Sequence, residues 1–371
     1  MDHPSMAAGR LRIDLSALAR NWRDMAGRAG GAATAAVVKG DAYGMGIAPA
    51  VTALADAGCT TFFVALPEEG LRVRAAAPDA VVYVLGGLVG DPAAYVAAGL
   101  RPVLNDRAGI EEWRRARTAG APAGAALHVD TGMNRLGLRP DAFRSLVAED
   151  GVADALGLTL LMSHLACADT PGHPLNARQL SAFRAVRDLL PGVPASLANS
   201  AGVFLGPDYA FDLVRPGIAL YGGRAVADAP SPMRPVATLE GRILQIRDVP
   251  AGETVGYGAA ETVHRDSRVA VVGVGYADGY HRRAGSSDGR PGARGFLRGR
   301  DVPLIGRVSM DLMAFDVTDL REASRGDWIE LFGDHVAVDD VAAAAETIGY
   351  ELLTGLGRRY ARTYVGGPPR P

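Results

Sequence analysis

The chain has 371 residues, 48% apolar and 22% charged, and a formal net charge of -2; this composition supplies a large core and excludes disorder over most of the length. A pI near 6.4 with intermixed charges excludes the electrostatic footprint of a nucleic-acid binder, and no run approaches the ~18 uninterrupted apolar residues of a membrane-spanning helix. The opening MDHPSMAAGRLRIDLS lacks the apolar stretch of a secretory signal, and two cysteines, Cys59 and Cys167, cannot form a disulfide framework, so a cytoplasmic location is expected.

From the N-terminus, short runs rich in β-branched residues alternate with longer Ala-rich stretches of helical period. Strands are predicted near 33-38 (ATAAVV), 60-66 (TTFFVAL), 80-85 (AVVYVL), 101-104 (RPVL), 124-129 (GAALHV), 157-163 (GLTLLMS), 194-198 (PASLA) and 211-215 (FDLVR). Helices are predicted near 16-28, 47-57, 67-76, 91-98, 106-119, 140-149 and 176-190, several marked by caps or early prolines such as Asp91-Pro92 and Asn105-Asp106. Eight strands alternating with helices predict an α/β fold, a (β/α)8 TIM barrel, with a doubly wound open sheet as the alternative. After APSPMRP (229-235) the texture changes: ATLEGRILQI, RVAVVGVGYA, VPLIGRVSMDLMAFDVT and DWIELFG read as short strands. One helix is predicted from about 339 to 348, and HRRAGSSDGRPGARGFLRGR (281-300) reads as a mobile loop or hairpin. The predicted division is 10-232 for the barrel and 233-371 for a smaller, mostly β domain, with a frayed GGPPRP tail.

Of the 39 basic residues, 38 are arginine and only Lys39 is lysine. Arginine keeps its proton, whereas an amine can lose one and attack a carbonyl to form a Schiff base. Lys39 closes the first predicted strand, and barrels place their chemistry at the C-terminal ends of strands. An apolar approach desolvates its amine and lowers its pKa. On other strand ends fall His128 and Asp130 with Arg135 just beyond, then His164, Asn199 and Ser200, and Arg215. Barrels often bind phosphate with the loops after strands seven and eight. Ser200 and the amides around Gly217 and Ile218 could form such a nest. A phosphate site facing one Schiff-base lysine points to pyridoxal 5'-phosphate.

These strings resemble the alanine racemase family, the fold-type-III pyridoxal-phosphate enzymes. AVVKGDAYGMG looks like the family's cofactor-lysine motif, and HVDTGMNRLGL, SHLACAD, NSAG, RPGIALYG, VGYG, VGYADGY and GRVSMD follow in family order. The likeness runs from LRIDLSALARN to ELLTGLGRRYARTY. It implies that Lys39 holds the cofactor and is the base on the D-amino acid side, with Tyr276, reaching in from the partner of a homodimer, as the base for the L-isomer. It implies that Arg215 bonds an unprotonated pyridine nitrogen with His164 in support, and that Tyr43, Ser200, Gly217 and Ile218 hold the phosphate. Arg135 and the Met310 amide would take the substrate carboxylate, with Asp311 at the entrance. The implied activity is two-base interconversion of L- and D-alanine, in the family's usual role of D-alanine supply for peptidoglycan. Two positions depart from the pattern. His128 stands where many members have a lysine, and Arg358 where some have a phosphate-binding tyrosine, a role open to Arg358, Tyr360 or neither.

Each residue also has a plainer reading. His164 alone reads as a satisfied core histidine, Met310 as hairpin core, Arg135 as a solvated charge and Tyr276 as a half-buried aromatic. His164, Cys167 and His173 do not have zinc spacing, so no metal site is expected. Gly273, Gly275 and Gly279 make no proper dinucleotide fingerprint. The rival functions are a serine or broad-specificity racemase, a fold-type-III decarboxylase, and a non-catalytic pyridoxal-phosphate carrier.

Overall fold

Eight short runs become eight parallel strands in chain order. In this computed structural model, which describes residues 6–118 and 123–367, strands at Ala36–Val37, Thr61–Val64, Val81–Val84, Leu100–Leu104, Ala125–His128, Leu158–Met162 and Ala195–Ser196 pair successively in parallel. The eighth, Leu213–Val214, pairs with Ala33–Thr34 at the start of the first. Its other side is sealed by Asp212 N–H donating to Ala195 O (3.0 Å) and Arg215 N–H donating to Ala198 O (2.9 Å). This closure makes the TIM-like (β/α)8 barrel expected and removes the open-sheet alternative. Phe62, Phe63, Val64, Val82 and Val84 are fully buried, as strands covered on both faces require.

The helices begin where the local chemistry sets them. Asp14 and Asp91 side chains accept from Ala17 N–H (2.8 Å) and Ala93 N–H (2.9 Å). Pro67, Pro92, Pro140 and Pro174 open their helices, where the missing N–H costs nothing. At Asn105-Asp106 only Asp106 caps, taking Gly109 N–H at 2.8 Å.

In the second unit, Ala237–Val249, Ser267–Val272, Met313–Asp316, Arg300–Ile305, Arg294–Leu297 and Trp328–Phe332 close into a ring of strands. Gly9–Asp14, which apart from Gly9 falls inside the 10-232 stretch expected to be barrel, joins this sheet instead. It runs antiparallel to Ala237–Val249 and parallel to Ala361–Val365. The reason is its alternation: Leu11 and Ile13 are fully buried while Arg10 faces out, the pattern of a half-buried strand. VPLIGRVSMDLMAFDVT splits into two strands because Gly306 turns the chain at φ +71. Within 281-300, Arg294–Leu297 forms a hairpin with Arg300–Ile305, and Arg290 ties the preceding loop to Ala344 O (2.7 Å). The helix expected over 339-348 stops at Ala344, and a second, Gly349–Thr354, follows a break at Glu346 (φ +55). Most of the tail, 368–371, lies outside the described residues.

Asn21, fully buried on the first helix, joins the barrel to the segment leading into the second unit. Its Nδ2 donates to Leu220 O (3.0 Å) and Arg234 O (2.9 Å), and its Oδ1 accepts from Arg234 N–H (2.9 Å). Asn21→Ala leaves these buried groups unpaired and should cost about 3 kcal/mol, measured as a lowered urea midpoint.

Candidate active site

The strand ends converge on a cavity of about 520 Å³ at the mouth of the barrel. Lys39, Tyr43, Arg135, His164, Ser200, Arg215, Gly217 and Ile218 all line it, so eight residues singled out by sequence come together. Among the described residues its lining holds three basic side chains, Lys39, Arg135 and Arg215, and no aspartate or glutamate. Such a cavity takes an anionic guest.

Lys39 enters from an unusual backbone. Gly40, Asp41, Ala42 and Tyr43 follow it in left-handed conformation, with φ of 63, 54, 55 and 54. Only the first is glycine, and each of the others costs roughly 1–2 kcal/mol. Burial, and then the Arg135 charge, lower the Lys39 pKa, while Glu69 raises it. The net lowering eases loss of the proton that the amine must shed to act as a nucleophile.

Arg215 is buried and, among the described residues, held by neutral acceptors alone: Ser163 O (2.6 Å), Leu197 O (3.4 Å), His164 Nδ1 (3.4 Å) and the Ser196 hydroxyl. Burial brings its pKa down to about 9, so it stays charged at neutral pH. Burial and the neighbouring Arg215 and Arg135 charges push the His164 pKa well down, so its imidazole stays neutral.

The amides of Gly217 and Ala219 donate to Ser200 Oγ (2.8 and 3.3 Å), leaving the Ser200 hydrogen free to turn toward an anion. A Cβ on Gly217 would stand 2.3 Å from the Tyr43 hydroxyl, so only glycine allows this approach. Tyr43 stacks on Tyr221 at 4.5 Å, and burial pushes its pKa up, keeping it a donor. These donors fit a phosphate, and the buried cation fits an unprotonated ring nitrogen.

Arg135 is exposed at the end of a loop folded by Asp130, whose carboxylate accepts from Gly132, Met133 and Asn134 N–H (2.9, 2.8 and 2.9 Å). His128 lies beneath it in the cavity wall. Asn105 donates to Leu85 O (3.2 Å), which turns its Oδ1 toward His128 Nδ1 at 2.7 Å. His128 therefore donates from Nδ1 and is an acceptor at Nε2.

Neither Tyr276 nor Met310 lines the cavity. They sit on the second unit, 40% and 54% exposed, so Met310 is not hairpin core. Their turns are locked together: Tyr276 N–H donates to Ser309 O (3.0 Å) and Ala277 N–H to Met310 O (2.9 Å). Gly275 is needed here because a Cβ would meet Met310 O at 2.3 Å. Arg359 bridges buried Asp278 (2.6 Å) and Asp311 (2.8 Å) beside them.

Neither Arg358 nor Tyr360 lines the cavity; Tyr360 is buried against Gly9. Tyr350 lines it instead, 6.0 Å from the Tyr43 ring, carried by the helix that sequence reading missed. Among the described residues, no group of three or more His, Cys, Asp or Glu could hold a metal ion, and no helix is long and apolar enough to cross a membrane.

A cationic barrel mouth with one nucleophilic amine, followed by a separate β unit, defines the class: a barrel-type pyridoxal-phosphate enzyme. Residues 13–225 match the family model for the alanine racemase N-terminal domain, and residues 236–364 that for the C-terminal domain. The chain belongs to the alanine racemase family. It is 52% identical to the alanine racemase of Rhizobium meliloti over 97% of this chain and 98% of that one. It is 50% identical to the biosynthetic alanine racemase of Agrobacterium fabrum over 96% and 93%. The structure of alanine racemase from Bartonella henselae with covalently bound pyridoxal phosphate superposes with a TM-score of 0.90, at 37% identity, over 97% of this chain and 100% of that one.

Burial, and then the Arg215 charge, lower the His128 pKa from 6.5 to about 4. The folded value lies below the unfolded one, so stability present above pH 6.5 is lost as pH falls towards 4. That loss should reach about 3 kcal/mol, and urea titrations across this range should show it flattened in His128→Asn.

Proposed function

We propose that the protein interconverts L- and D-alanine with pyridoxal 5'-phosphate, using two bases on opposite faces of the cofactor. One observation carries the reading: the only lysine of the chain enters a cavity lined by two further cations and no acid. When bound, pyridoxal phosphate supplies the electron sink that acidifies the Cα proton. Lys39 is the residue to which it attaches. Ser200, Tyr43, Gly217, Ile218 and Tyr350 would hold its phosphate, and Arg215, steadied by His164, would hydrogen-bond its ring nitrogen. A charged arginine there would give that nitrogen a hydrogen bond without a proton, which would temper the sink and disfavour transamination.

Arg135 and the Met310 amide orient the substrate carboxylate, and inversion then needs a proton taken from one face and returned on the other. Lys39 moves it on the D side and Tyr276 on the L side. Tyr276 and Met310 lie exposed outside the cavity of their own chain, and this supports a homodimer in which each copy completes the other's site. The resemblance to a biosynthetic relative supports a role in peptidoglycan D-alanine supply. The unpaired Cys59 and Cys167 suit the cytoplasm.

Lys39→Arg keeps the charge but cannot bond the aldehyde, so visible absorbance should vanish and racemisation fall at least ~1000-fold. Tyr276→Phe should suppress Cα-hydrogen exchange with solvent from L-alanine far more than from D-alanine, read by mass spectrometry in deuterium oxide. Mixing equal amounts of these two inactive variants should restore about a quarter of wild-type activity through heterodimers holding one intact site; no recovery on subunit exchange would place both bases on one chain.

A further inference from the structure

Glu69 occupies the first turn of the helix Pro67–Ala76, where an acid ordinarily caps its own helix. Half of its carboxylate does so: Oε2 accepts from Ala65 N–H (2.9 Å) and Leu66 N–H (3.3 Å). The other half reaches the neighbouring strand end. Oε1 accepts from Gly40 N–H (2.6 Å) and Asp41 N–H (3.3 Å), the first two amides after Lys39 and part of the left-handed turn. One carboxylate thus gathers four backbone donors from two segments.

We infer that Glu69 is a positioning residue for Lys39, holding the costly left-handed turn so that the amine is aimed into the cavity before any cofactor arrives. This rests on the reading that Lys39 bonds the cofactor. A carboxylate suits the task because both its oxygens are acceptors. Glutamine would serve one pair of amides and turn an N–H₂ toward the other. The exposed Arg72–Asp41 ion pair (2.6 Å) touches the same turn from solvent and is a weak substitute.

The test begins with borohydride reduction of wild-type holoenzyme and peptide mapping. Label on a residue other than Lys39 overturns the cofactor reading itself, whatever Glu69 does. With label on Lys39, apo Glu69→Ala and Glu69→Gln are mixed with pyridoxal phosphate, and the growth of visible absorbance is timed as amine and aldehyde condense with loss of one water. Both variants should attach cofactor at least tenfold more slowly, and hydrogen exchange of the peptide spanning Gly40 and Asp41 should accelerate at least tenfold in Glu69→Ala. Asp91→Ala, which removes the cap of another helix and makes no hydrogen bond to this turn, should lower thermal stability yet attach cofactor at the wild-type rate. Attachment within twofold of wild type in Glu69→Ala, or equal slowing in Asp91→Ala, overturns the inference. If Glu69→Ala does not fold, Glu69→Gln alone decides by the same rate.

Discussion

A buried guanidinium with no carboxylate to neutralise it is the constraint around which the barrel mouth is built. Arg215 meets only carbonyls, a hydroxyl and a neutral imidazole. An acid there would cancel the field; without one the cavity favours anions, and burial first, then the Arg215 charge, keeps His164 and His128 uncharged. The desolvation cost of that charge is met in part by these neutral acceptors. Stability has been traded for a site already polarised for its guest.

The second constraint is strain. Three non-glycine residues in left-handed geometry would relax if left alone. They are held by stacking of Tyr43 on Tyr221, by Asp41 Oδ1 accepting from Ile47 N–H (3.0 Å), and by the Glu69 carboxylate. The second unit adds to this grip: Arg362 donates to Gly44 O (2.6 Å) and the Tyr364 hydroxyl to Met45 O (2.9 Å). The geometry of the amine is therefore a property of the whole chain rather than of its own strand.

Much of this was legible because the signals were local. Eight runs buried on both faces read as strands, and a solitary lysine stood out against 38 arginines. What escaped was nonlocal. Asn105 looked like a helix cap, yet it fixes the tautomer of His128 from an adjacent strand. Tyr350 was hidden because an alanine-rich run seemed to continue through Glu346, where no glycine announced the break. The alternation in GRLRID that places Gly9–Asp14 in the second sheet was visible, but lay too far from Ala237–Val249 for its partner to be guessed.

That last pairing bears on how the chain is made. Gly9–Asp14, the earliest of the described strands in chain order, lies between Ala237–Val249 and Ala361–Val365, the latest of them. During translation its edges stay open while the barrel can already assemble behind it. Closure on its second side must await residues 361–365, so a ribosome stalled short of them would display a ribbon with one edge unpaired, a natural handle for chaperones and proteases that discriminate finished from unfinished copies.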